Sequence, residues 1–138
     1  YLIPFGEAAI AREGNAATVV AIGWMVHQTL AACEELAKDG ISIEVIDPRT
    51  ILPLDIDTIL LSVHKTGRLL IVDEDYSYFG VGAEIAAQVV ARGFDDLDAP
   101  VRRLNGNFAP VPYSPPLEAA MVPNPTTIAQ AIRDLLAE

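Results

Sequence analysis

Short runs of β-branched and aliphatic residues alternate in this chain with stretches whose apolar residues recur at helical spacing. That alternation is the strongest constraint on its fold. Residues 18–23, Thr-Val-Val-Ala-Ile-Gly, form a continuous apolar run of the kind a strand shows when both its faces are buried. Val26, Leu30, Cys33 and Leu36/Ala37 then follow at helical spacing as far as Asp39-Gly40, where the glycine marks a helix stop. The cycle repeats, with residues 42–47 a strand, 48–55 a loop, and Ile56, Ile59, Leu60 and Val63 the apolar face of a helix ending at Thr66-Gly67. Residues 68–72 read as a third strand, 80–93 as a third helix striped by Ile85 and Val89, and 100–104 as a fourth strand. Strands that alternate with helices pack as a parallel sheet covered by helices on both faces.

The remaining stretches fit around that unit. Residues 7–13 alternate weakly and read as an edge strand. Pro110, Pro112, Pro115, Pro116, Pro123 and Pro125 crowd the segment after Asn105, which predicts an ordered loop without regular structure. Phe108, Val111, Tyr113, Leu117 and Met121 supply apolar material for that loop to bury. Thr126 or Asn124 then caps a last helix striped by Ile128, Ala131/Ile132 and Leu135/Leu136. Trp24 and Met25 read as core.

With 138 residues, 51% hydrophobic, the chain has the size of one domain with one substantial core, spanning residues 1–138. It opens on Tyr1, Leu2, Ile3 and Phe5, which reads as a piece of a longer polypeptide. No apolar run approaches the ~18 residues that cross a bilayer, so a membrane is not an expected partner. The single cysteine, Cys33, lies in a helical stripe and reads as a small buried hydrophobe in a reducing compartment. A net charge of −10, from 19 acidic and 9 basic residues, disfavours nucleic acid and anionic lipid and suits a basic protein partner.

Ligands of open α/β sheets bind beyond the carboxyl ends of the strands, and here those ends carry Asp47 and the run Asp73-Glu74-Asp75. Oxygen ligands of this kind could hold Mg²⁺. A receiver-type phosphoacceptor site, however, requires acids where Ala21-Ile22-Gly23 stands and a lysine where Leu104-Asn105 stands. Gly80 and Gly82 open a helix as phosphate loops do, but Ile85 occupies the third glycine position and Glu84 would repel a phosphate. A tight turn with close helix packing is the reading those glycines support. His27 and His64 have no Ser, Cys or second His at catalytic or metal spacing, so no self-contained active site emerges.

The succession IPFGEAAIAREG, TVVAIGWMVHQTLAACEELAKDGISIEVIDPRTILPLD, TGRLLIVDE, FGVGAEIAA, FDDLDAPVRRL and VPYSPPLEAAMVPN resembles a known family across nearly the whole chain. It is similar to the C-terminal domain of the β subunit of thiamine-diphosphate-dependent 2-oxo acid dehydrogenases of the pyruvate, branched-chain and acetoin type, within the transketolase C-terminal domain superfamily. One departure is Pro48, where the family more often has Leu or Met before Arg49-Thr50. The resemblance implies a three-layer α/β/α domain whose mostly parallel five-stranded sheet carries an antiparallel edge strand. It implies no catalytic, cofactor or metal residue here, with thiamine diphosphate and Mg²⁺ held by other domains of the full enzyme. The implied partners are the α subunit, a second β subunit, and the small basic peripheral-subunit-binding domain of the acyltransferase.

By the same resemblance, Asp98 of the L-D-A-P motif and the carboxyl terminus at Glu138 form the landing surface for that acyltransferase. Tyr76, Tyr78, Phe79, Gly80 and Gly82 shape a loop facing another subunit. The implied location is a bacterial cytoplasm, or the mitochondrial matrix in a eukaryote. Two rival readings stand beside this one. Transketolase or deoxyxylulose-phosphate synthase chemistry would show a basic phosphate-gripping cluster, of which Arg49 is a single candidate. An independent Mg²⁺-binding module would bring Asp47 together with residues 73–75.

Overall fold

The computed structural model describes all 138 residues. Its sheet has the order β1-β3-β2-β4-β5, built from β1 (Ala9–Arg12), β2 (Ala17–Ala21), β3 (Ile43–Asp47), β4 (Leu69–Tyr76) and β5 (Arg102–Gly106). β2, at the centre, is buried along its whole length, as a strand covered on both faces must be. Four strands run parallel, and β1 pairs antiparallel with β3, with Ala9 opposite Asp47. The weak alternation at residues 7–13 is therefore the antiparallel edge, and the expected three-layer α/β/α architecture is the observed one.

Side-chain alternation along the strands divides the core in two. Val19, Val45, Leu70 and Val72 point toward α1 (Met25–Lys38) and α5 (Pro125–Leu136), where Leu36, Ile128, Ile132 and Leu135 close the layer. Val20, Ile46, Leu69 and Ile71 point the other way, against α2 (Ile56–Thr66) and α3 (Val81–Gly93) through Ile59, Val63, Ile85 and Val89. Each such fully buried aliphatic side chain stabilises the fold by about 1.5–3 kcal/mol relative to exposure. Cys33 is buried among them, and desolvation pushes its thiol up to about 11.

One polar layer interrupts the second core. Thr18 on β2 meets Ser62 and Thr66 of α2 at 2.6 and 2.8 Å, hydroxyl to hydroxyl. Beside them the fully buried Glu44 pairs with Lys65 and accepts from the Gly14 N–H at 3.3 Å. Burial alone would push the Glu44 carboxyl up, but hydrogen bonds from Lys65, Ser62 and Gly14 outweigh it and hold the group below its ordinary range.

Four local expectations need correction. β4 does not end at Val72 but continues through Asp73-Glu74-Asp75 to Tyr76, because Tyr76 pairs with Gly106 across an irregularity in register. The proline-rich segment contains a short helix, α4 (Pro115–Met121), since its two leading prolines sit at the first helical positions, where a missing N–H costs nothing. Trp24 is not core but 58% exposed. Phe108, Val111, Tyr113 and Leu117 likewise face solvent, because no element of this chain lies over them. At the last helix the cap is Asn124, whose side chain accepts from Thr127 N–H in a capping box.

Candidate functional site

Where β4 leaves the sheet, its carboxylates turn inward on their own backbone. Asp73 is buried and accepts from the Asp75 N–H at 3.2 Å, and Asp75 in turn accepts from the Tyr76 N–H at 2.7 Å. Desolvation raises the Asp73 pKa above the usual carboxylate range. Asp47, at the end of β3, folds back in the same way, its Oδ1 accepting from the Arg49 N–H at 2.9 Å. β2 lies between β3 and β4, so these two acids stand about 10 Å apart across two strand spacings. The donor set does not fit a Mg²⁺-diphosphate group, and no cluster of His, Cys, Asp and Glu suited to a metal is present. The hollow at the ends of β2 and β3 holds Arg49 as its one basic residue, short of a phosphate-gripping cluster.

Beyond the acids the chain builds an aromatic platform. The Tyr76 ring stands edge-on to Phe108 with centroids 5.0 Å apart, and its hydroxyl donates to the Ala109 carbonyl at 2.9 Å. Tyr78 meets the same Phe108 ring edge-on at 5.4 Å. Arg103 ties the loop down by donating to the Ser77 carbonyl at 2.6 Å. Phe79 follows with φ +58°, a left-handed conformation that costs a residue with Cβ about 1–2 kcal/mol, and its ring is fully exposed. Gly80 and Gly82 then let α3 start close to the strand. A Cβ at Gly80 would lie 2.9 Å from the Tyr76 carbonyl oxygen, and one at Gly82 would lie 3.2 Å from Ile71 Cγ2. The glycines serve close packing, as their sequence context indicates.

The other predicted residues lie at the opposite, amino-terminal ends of the strands. Asp98 is exposed, in the segment between the 3₁₀ turn Phe94–Asp96 and β5. Its N–H donates to the Gly67 carbonyl at 2.7 Å, and its carboxyl lies over Gly67, the left-handed cap of α2 at φ +71°. His64, on the last turn of α2, holds the neighbouring Asp96 through Nδ1 at 2.8 Å. Glu138 pairs with Arg102 at the start of β5. Asp98 and Glu138 thus flank the same strand end, while the β4–α3 connection, residues 77–80, is at the opposite end of the sheet. Three contributors were not legible in the sequence. Arg102 and Gly67 act through partners distant in the chain, and the apolar character of Phe108 predicts burial where the structure has an aromatic platform.

Residues 6–128 match the family described as transketolase, C-terminal domain. The chain belongs to that family. Its fold agrees with that of a split-gene transketolase, an inactive β4 tetramer, at a TM-score of 0.85 and 23% identity over 98% of this chain and 44% of that one. Among curated relatives, it is 45% identical over its full length to the β subunit of acetoin:2,6-dichlorophenolindophenol oxidoreductase from Bacillus subtilis (strain 168), covering 40% of that protein. It is also 45% identical over 131 residues, 95% of the chain and 40% of the relative, to the pyruvate dehydrogenase E1 component subunit beta of Rickettsia bellii (strain RML369-C). This transketolase C-terminal domain therefore spans about 40% of the length of these relatives. None of its helices is long and apolar enough to cross a membrane.

Proposed function

We propose that this domain is the assembly and docking portion of the β subunit of a thiamine-diphosphate-dependent 2-oxo acid dehydrogenase. In this reading the complete enzyme decarboxylates a 2-oxo acid and acylates a lipoyl group on its acyltransferase. Thiamine diphosphate with Mg²⁺ supplies the decarboxylation chemistry from other domains. The observation that carries the reading is the Tyr76–Gly82 loop. An aromatic ring held fully exposed on a left-handed backbone, beside exposed Tyr78 and Phe108, suits burial against another subunit. The β-subunit relatives supply the enzyme class. Tyr78 and Phe79 would meet the α subunit or a second β subunit, and the exposed Asp98 would receive the basic peripheral-subunit-binding domain.

Co-expression of the full β subunit with its α subunit tests the first half. Phe79→Asp is expected to prevent the assembled particle, read by sedimentation, while the variant subunit keeps its helical circular dichroism. Normal assembly of Phe79→Asp would refute the interface assignment. Calorimetry of the assembled protein with its own peripheral-subunit-binding domain tests the second half. Wild type should bind more weakly as salt rises, and Asp98→Asn should lose about tenfold in affinity, ~1.4 kcal/mol, and part of the salt dependence.

A further inference from the structure

Asp98 does not stand alone on its surface. Beside it runs a groove of about 690 Å³ between the outer side of α3 and the segment that enters β5. Ala86, Leu97 and Val101 form its floor, packed from below against the second core, and Val90 and Phe94 form its exposed wall. The groove exists because α3 breaks at Gly93 into the 3₁₀ turn, sending the chain back along the edge of the sheet, where β5 has no further strand beside it. Asp98 sits at the lip.

The charges around this lip are unbalanced. Arg12, Lys38, Lys65, Arg92, Arg102 and Arg133 are each paired with an acid elsewhere, and no basic group of the chain pairs with Asp98. Its backbone is anchored, with its N–H donating to the Gly67 carbonyl at 2.7 Å and its neighbour Asp96 held by His64 at 2.8 Å, and its carboxyl lies against Gly67. An apolar groove with one exposed, cation-free carboxylate at its edge, on a chain of net charge −10, complements a basic amphipathic helix. Residues three or four apart on such a helix share one face, so an aliphatic side chain can enter the groove while a Lys or Arg reaches Asp98.

Resting on the docking function proposed above, we infer that the α3–β5 groove is an apolar subsite of the docking surface. It seats an aliphatic side chain of the basic peripheral-subunit-binding domain beside the Asp98 ion pair. Affinity then has two separable parts. The ion pair sets the salt dependence, and the groove contributes a salt-independent increment.

The test is calorimetry of the assembled full-length component with its own peripheral-subunit-binding domain over a range of salt. The double variant Val90→Gln/Phe94→Gln is expected to bind at least tenfold more weakly at every salt concentration, with the salt slope of wild type. The nearly isosteric Val90→Thr, which keeps the helix surface intact, should lose a few-fold in the same manner. Asp98→Asn should instead flatten the slope. Wild-type affinity in both groove variants overturns the inference, and a retained Asp98→Asn effect would then leave the docking function standing. A change in particle mass with unchanged partner affinity assigns the groove to a contact between subunits and also overturns it. No binding by wild type at low salt overturns both.

Discussion

Replacing Gly67 with alanine tests how α2 and Asp98 are joined. At φ +71° an alanine loses about 1–2 kcal/mol in the folded state, offset by roughly 0.4–1 kcal/mol of entropy removed from the unfolded chain. The net backbone cost is about 1 kcal/mol. The new methyl group would also stand 2.8 Å from Asp98 Cγ but 3.4 Å from Asp98 Cβ. The carboxyl must therefore swing away, while the backbone bond from Asp98 N–H to the Gly67 carbonyl survives. Turning a side chain off its preferred rotamer costs about 0.5–1.5 kcal/mol. Gly67→Ala should thus destabilise the protein by about 2 kcal/mol in urea unfolding. In an Asp98→Ala background the clash is absent and only the backbone part, about 1 kcal/mol, should remain. A double-mutant cycle reads the difference directly as a coupling of about 1 kcal/mol. Equal cost in both backgrounds would show that the Asp98 carboxyl does not occupy the space over Gly67, and the positioning argument would fail. If it holds, Gly67→Ala should also weaken partner binding, although Asp98 itself is unchanged.

Other consequences follow from groups whose environment is at odds with their chemistry. The Asp73 pKa is raised by burial, so its charge opposes folding at neutral pH and the opposition fades as pH falls through the folded-state pKa. Asp73→Asn should therefore raise the urea midpoint at pH 7, with a gain that shrinks toward pH ~4; a loss at pH 7 would refute this. Glu44 is the opposite case: its pKa is lowered, so its contribution is present above the ordinary value of ~4.3 and is lost as pH falls through the folded-state pKa. Glu44→Gln should cost about 2 kcal/mol at pH 7, measured by urea unfolding, and much less in acid, whereas a pH-independent cost would point to packing alone. Phe79→Gly should stabilise the free β subunit by about 1 kcal/mol in thermal unfolding while impairing assembly with the α subunit, because the left-handed strain is removed together with the exposed ring. Destabilisation would mean the ring packs within its own chain.

The fold was legible where burial is two-sided or striped. Residues 19–21 and 69–72 are continuous apolar runs, as central parallel strands require, and Ile128, Ile132 and Leu135 mark α5 by spacing alone. Legibility failed where backbone pairing and not side-chain pattern decides. Nothing in Asp73-Glu74-Asp75 announces a strand, since its pairing depends on the approach of Gly106 to Tyr76. The prolines hide α4 because Pro115 and Pro116, among six prolines, look like breakers and yet stand where a helix can start. Trp24, Phe108 and Tyr113 failed for another reason: apolar character marks a residue to be covered but does not say by which chain. For the sites, Asp98 and the aromatics Tyr76, Tyr78 and Phe79 are legible only through a resemblance. The groove beside Asp98 and the glycine beneath it come from residues far apart in sequence, which pattern reading cannot join.

The two ends of the sheet hold their carboxylates in different ways. The carboxyl ends of the strands are where an open α/β sheet normally receives a ligand. Here Asp47 and Asp73 accept hydrogen bonds from the N–H groups two residues further along the chain, and the aromatic platform of Tyr76, Tyr78 and Phe108 follows the end of β4. With β2 between them the two carboxylates stand about 10 Å apart, too far to share a metal ion, and rings facing solvent favour apolar contact over phosphate binding. At the amino-terminal ends the arrangement is reversed. Asp98 is held in place by α2 yet has no cation, and an apolar groove lies beside it. A surface with its charge unsatisfied and its backbone already anchored loses less conformational entropy on binding, which lets an exposed acid contribute affinity. On the proposed function, then, the end of the sheet that usually holds ligand has become a subunit contact, and the end that usually serves only stability has become the docking surface.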